Sequence, residues 1–174
     1  MQTETADPLI RAAGGFAIVS SLISAVGVVF LIALYVLLFA TPRKELGLTF
    51  GLLNDICVAL QYLLTIPIAL ALHRILLPHN APLIRAATLV GIAAMLAVIL
   101  LQLTLIVRAL TFQQQLPWVS LAMFLGVGSW LVITGLVARA TGRLPNSVLF
   151  SAVAVPYLGY PAWAFWLGRR LLVW

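Results

Sequence analysis

The sequence is poor in charge and poorer still in acid. Of 174 residues only 8% are charged, with four acids against ten Lys and Arg. Soluble domains carry about a quarter charged residues, so no separate soluble module is expected. Three of the acids, Glu4, Asp7 and Glu45, lie in the N-terminal tail or the first connection, and Asp55 alone falls inside an apolar run. Paired-carboxylate chemistry therefore has almost nothing to work with. A single cysteine, Cys57, excludes an intrachain disulfide. The two histidines, His73 and His79, have no cluster of Cys, Asp or Glu beside them, and HExxH, GxSxG, CxxC and P-loop patterns are absent. No catalytic residue, metal ligand or cofactor site is expected.

What the chain has is apolar surface. Hydrophobic residues make up 64% of it, and its mean hydropathy is +1.16. A single soluble core of this length cannot hide so much, so lipid must be the solvent. The formal charge is +6, but the basic residues (Arg43, Lys44, Arg74, Arg85, Arg139, Arg143, Arg169, Arg170) stand at the ends of apolar runs. That is the pattern of head-group anchors, and nucleic acid is not an expected partner. The first apolar run is too long for the core of a signal peptide, and Glu4 and Asp7 oppose Arg11 ahead of it.

Turn residues divide the chain into a polar tail over 1–13 and one all-α transmembrane domain over 14–174. Five spans are predicted, near 14–40, 51–72, 83–111, 118–138 and 148–167. The first is about 40 Å long at 1.5 Å per residue, so it must tilt or protrude. Ala17, Ser20, Ser21, Ser24 and Gly27 give it a small-residue face suited to close packing, and Gly91, Ala93, Ala94 and Ala97 do the same for the third. Pro42 ends the first span, and Gly47 and Gly51 form a GxxxG at the entry to the second. Gln113-Gln114-Gln115-Leu116-Pro117 reads as a connection. Thr141 to Asn146 reads as a turn, with Asn146 or Ser147 a candidate N-cap. Short connections predict an up-and-down bundle of five transmembrane helices.

In that arrangement Arg11, Arg74, Arg85, Arg139 and Arg143 share one face, and Arg43, Lys44, Arg108, Arg169 and Arg170 share the other. The positive-inside rule is then tied. The first helix tips the reading toward the N-terminus outside and the C-terminus cytoplasmic, in a cell membrane. Trp118, Trp163, Trp166 and Trp174 would mark one interface.

The second run, GLLNDICVALQYLLTIPIALAL, is the most informative stretch. It carries Asn54, Asp55, Gln61 and Thr65 at membrane depth, where polar groups are costly and by default functional. Asn54, Gln61 and Thr65 share a stripe at helical spacing. Asp55 and Arg108 fall in the same leaflet, so an ion pair between them is expected. Gln102 and Tyr157 or Tyr160 are placed to meet the stripe. Pro156 to Pro161 interrupts the fifth span and removes two backbone donors, a break of the type that lines transporter sites. The polar set is a clasp that fixes helix register or a cavity for a solute, a proton or a lipid head group.

The runs LNDICVALQYLLTIPIALALHR, LTFQQQ and GYPAWAFWLGRRLL resemble small bacterial multi-pass membrane proteins classed as a domain of unknown function. The resemblance covers most of the chain from about Thr49 onward. It implies a membrane helix bundle and no particular activity, substrate or catalytic residue. The expected function is non-catalytic. Its partners are the lipid bilayer and other membrane subunits or further copies of itself, the chain acting as an accessory subunit or a small homo-oligomer. The alternative is a small-solute or proton-coupled transporter built on Asp55 and the Pro156–Pro161 break.

Overall fold

A computed structural model describes residues 7–40, 43–142 and 156–173, the side chains of 156–158 excepted. Among the described residues there is no strand. The helices are α1 (Pro8–Ala40), α2 (Lys44–Leu76), α3 (Ala81–Ile106), α4 (Phe112–Leu121), a π-helical turn (Ala122–Val127), α5 (Gly128–Ala140) and α6 (Pro156–Leu172). Four helical stretches are long and apolar enough to cross a membrane: α1, α2, α3 and the run Phe112–Ala140. Their outward faces bear Leu22, Val29, Ile32, Leu89, Leu100, Phe124 and Leu125, all exposed. Helices apolar on every side belong in lipid or in the centre of a large assembly.

Local chemistry sets the boundaries. Asn80 caps α3, its side chain accepting from the Leu83 amide at 3.4 Å, and Pro82 sits in the first turn, where no backbone donor is lost. Thr111 and Gln114 form a capping box at the start of α4. Gln113, Gln114 and Gln115 are therefore helical, and the helix runs through Pro117. The expected connection there is corrected to a helix start. The third span ends at Ile106 rather than Thr111, because the chain turns through Arg108 at φ 60°. Pro42, Arg143, Asn146 and Ser147, and the expected start of a span at Val148, lie outside the described residues.

Helix directions follow from named contacts. Asp7 pairs with Arg74 at 3.0 Å, and Gly47 packs on Leu34, Leu37 and Leu38, so α1 and α2 are antiparallel. The GxxxG glycines thus serve packing inside the chain: Gly51 meets Leu34 as well. His73 meets Thr88 across the α2–α3 turn. Gly91 lies against Trp130, and Gly126 against Ala94, so α3 and the α4–α5 run are antiparallel.

The last helix departs from the up-and-down expectation. Gly168 lies against Gly14 and Ile18, and Ser21 meets Pro161, so α6 is antiparallel to α1. Its C-terminal end stands beside the start of α1, on the face where α5 ends. α5 and α6, with residues 143–155 between them outside the described part, therefore run in the same direction. Tyr160, in the second turn of α6, is level with Ser20, close to Ser24 at the middle of the 33-residue α1. The described part of α6 thus runs along the first half of α1. Arg169 and Arg170 consequently share the face of Arg11, Arg74, Arg85 and Arg139, and the expected tie of charges does not hold.

Candidate functional site

The small-residue face of α1 brings three helices together. Ser20, Ser21 and Ser24 are buried, as are Ala17 and Gly27. Small side chains let backbones approach closely, and in hydrocarbon dispersion and interhelical hydrogen bonds supply the attraction that water cannot. Gly27 admits Cys57 and Asn54 of α2 on one side, and Gly14 admits Gly168 and Leu172 of α6 further up.

At the centre of this seam is a closed hydrogen-bond network. The Tyr160 hydroxyl lies 2.6 Å from Ser20 Oγ and 2.5 Å from Thr65 Oγ1. Thr65 and Ser20 also reach the Gln61 carbonyl, at 2.7 Å and 3.3 Å, and Ser21 donates to the Pro161 carbonyl at 2.7 Å. Ser20 and Thr65 are fully buried, and Tyr160 is 6% exposed. Each hydroxyl at this depth has a partner, which removes most of the cost of burying it. The network joins α1, α2 and α6 at one level of the bundle.

Of the expected stripe, Thr65 and Tyr160 meet directly, and Gln61 joins through its backbone carbonyl. Asn54 is buried against the Gly27 position, nearer the other end of α2. Asp55 is half-buried beside Asn54. α2 starts at Lys44, not Gly51, so Asp55 is about 7–8 Å along the axis from the helix centre rather than near its mouth. Arg108 is exposed in the α3–α4 turn. Asp55 and Arg108 do not pair, whereas Asp7 and Arg74 do. The expectation fails because α3 ends before Arg108 and the turn carries that side chain past the end of the bundle.

Gln102 finds a partner elsewhere. Its Oε1 accepts from Gln115 Nε2 at 3.2 Å, and both side chains are buried between α3 and α4. Tyr157 lies outside the residues whose side chains are described. α6 runs through Pro161 without interruption, so the expected break does not fall at Pro161, and the residues ahead of Pro156 lie outside the described part.

Two features were not anticipated. Trp130 of α5 and Trp163 of α6 pack edge to face at 6.3 Å, and they are 1% and 0% exposed. Neither indole N–H has a hydrogen-bond partner among the described residues. Trp163 was expected as an interface marker; it is a core residue. The aromatic bulk fills the space between two helices whose backbones stay apart, a role that composition does not reveal. The second feature is an apolar groove of about 640 Å³ between α3 and α4, lined by Val90, Ala97, Leu100, Trp118, Leu121 and Gly126. The π-helical turn forms one wall. Among the described residues no group of three His, Cys, Asp or Glu is placed to hold a metal.

Comparison of the chain with family models, curated proteins and solved structures finds no match.

Proposed function

We propose that this chain is a multi-pass membrane protein that acts by packing, as an accessory subunit of a membrane complex or as a small homo-oligomer. The observation that carries this reading is the closure of the polar network. Ser20, Thr65 and Tyr160 spend their hydrogen bonds on one another and on the Gln61 carbonyl, and Gln102 spends its own on Gln115. Such groups hold three helices in register. The same outward faces that meet lipid are available to neighbouring transmembrane helices.

The resemblance to small bacterial multi-pass proteins accords with a cell membrane location. With Arg169 and Arg170 returned to the N-terminal face, basic residues favour that face by six to three among the described positions: Arg11, Arg74, Arg85, Arg139, Arg169 and Arg170 against Arg43, Lys44 and Arg108. The positive-inside rule then favours a cytoplasmic N-terminus, the reverse of the orientation expected from the first helix alone.

A second reading, a small-solute or proton-coupled transporter, draws on Asp55, half-buried in α2 beside Asn54 and with no cationic side chain paired to it among the described residues.

Purification in mild detergent, followed by native mass spectrometry and an absorption spectrum, separates the two. A stoichiometric partner or a defined homo-oligomer supports the packing reading. A lone monomer that carries out solute flux in proteoliposomes overturns it.

A further inference from the structure

The two ends of the bundle differ in charge, and helix electrostatics does not explain the difference. Among the described residues, the N-terminal face carries Arg11, Arg74, Arg85, Arg139, Arg169 and Arg170, all exposed, and one acid, Asp7. A cation is favoured at a helix C-terminus and disfavoured at an N-terminus. Arg74, Arg139, Arg169 and Arg170 lie in the last turns of α2, α5 and α6 and satisfy that preference. Arg11 and Arg85 stand in the opening turns of α1 and α3, against it. At the opposite face the last turns of α1 and α3 carry no basic residue, although the dipole would welcome one. Basic residues favour the N-terminal face, although Arg43 and Lys44 stand at the α1–α2 connection and Arg108 just past α3 on the other, and helix ends alone do not account for the bias. Asp7 neutralises one of them, at 3.0 Å from Arg74, and the Arg170 guanidinium is held over the Trp166 ring at 5.9 Å. Among the described residues, Arg11, Arg85, Arg139 and Arg169 have no acidic partner within ion-pair distance.

Arginine presents a planar fork of donors that matches phosphate oxygens. An indole beneath a guanidinium at a helix end is the arrangement of an interfacial anchor. We infer that the N-terminal face of the bundle binds the phosphates of anionic phospholipids, gathering such lipids around α1, α3 and α6. The inference stands apart from the packing reading and does not need it. Juxtamembrane basic residues attract anionic lipid with up to roughly fivefold gain per residue, and the attraction falls with salt.

The test uses the full chain reconstituted in phosphatidylcholine vesicles containing a minority of phosphatidylglycerol. Spin-labelled lipids of each class report their relative association with the protein surface. The wild type is expected to prefer phosphatidylglycerol several-fold at low salt and to lose the preference in high salt. Arg11→Gln, Arg85→Gln and Arg169→Gln combined bring the ratio close to one. The same three positions changed to Lys keep it, which separates charge from folding. Lys44→Gln with Arg108→Gln, at the other face, leaves it unchanged. A wild type without preference, or a preference that survives the triple Gln variant, overturns the inference. So does capture of an acidic soluble protein that the triple variant releases while lipid selectivity stays constant, which gives the arginines to that partner instead.

Discussion

Gly14 and Gly168 meet backbone to backbone where α1 begins and α6 ends. A Cβ built on Gly168 would lie 2.7 Å from the Gly14 carbonyl oxygen, and one built on Gly14 would lie 3.0 Å from the Gly168 carbonyl oxygen. Backbone atoms cannot move aside as a side chain does. Gly168→Ala is therefore expected to destabilise the fold by about 1–3 kcal/mol, the usual range for overpacking. Gly15, next in the chain, has nothing within 4 Å of its Cβ position. Gly15→Ala is expected to be neutral or to gain up to about 1 kcal/mol from helix propensity. Thermal unfolding of both variants in detergent checks the pair. Equal melting temperatures would mean that α6 does not dock on α1 in this way.

That contact also shows what the sequence could and could not tell. The existence of the helices was legible, because apolar runs of such length have one solution in lipid. The seam on α1 was legible too, since Ser20, Ser21 and Ser24 recur at helical spacing and all are buried. A meeting of Gln102 and of Tyr157 or Tyr160 with the stripe of Asn54, Gln61 and Thr65 was expected without naming the pair; Tyr160 meets Thr65, whereas Gln102 turns to Gln115. The direction of α6 was not legible: hydropathy measures length and says nothing of which way a segment runs. One misplaced helix moved Arg169 and Arg170 to the wrong face and produced a false tie. Gln115 was missed for a different reason. Three glutamines before a proline look like a loop, although Thr111 and Gln114 have the spacing of a capping box.

The topology makes a labelling prediction. In a Cys57→Ala background, single cysteines at His79, Gln113 and Val173 are introduced in turn and treated with a membrane-impermeant maleimide. His79 is in the α2–α3 turn, and Val173 directly follows α6. Positions 79 and 173 are expected to react from the same side of the membrane, and position 113 from the other. A regular five-span bundle requires 173 to label with 113, so that result would discard the parallel placement of α5 and α6.

The Tyr160 hydroxyl links Ser20 and Thr65 and should be worth more than either bond alone. Tyr160→Phe is expected to cost about 1 kcal/mol, and Thr65→Val a similar amount. Because both remove the same 2.5 Å contact, the double variant should cost less than the sum. A double-mutant cycle on detergent melting curves reads the coupling. Strict additivity would mean that the two side chains do not act together. A preserved oligomeric state in all three variants would confine the network to register within one chain.

Asp55 decides between packing and transport. Its carboxylate has no cationic partner among the described residues, and an unpaired charge in hydrocarbon is costly. Asn keeps the shape and some hydrogen-bonding capacity while removing the charge. If the chain works by packing, Asp55→Asn should leave assembly intact and leave stability unchanged or raised, by at most about 3 kcal/mol. Had an Asp55–Arg108 pair existed, the same change would have stranded the arginine and lowered stability. A carboxylate at this depth whose described polar neighbour is the neutral Asn54 side chain is where proton or cation coupling would act. Flux of protons or cations into proteoliposomes is therefore measured beside the melting curve. A variant that assembles and melts like the wild type but loses a flux the wild type shows would make Asp55 a coupling residue and end the packing reading.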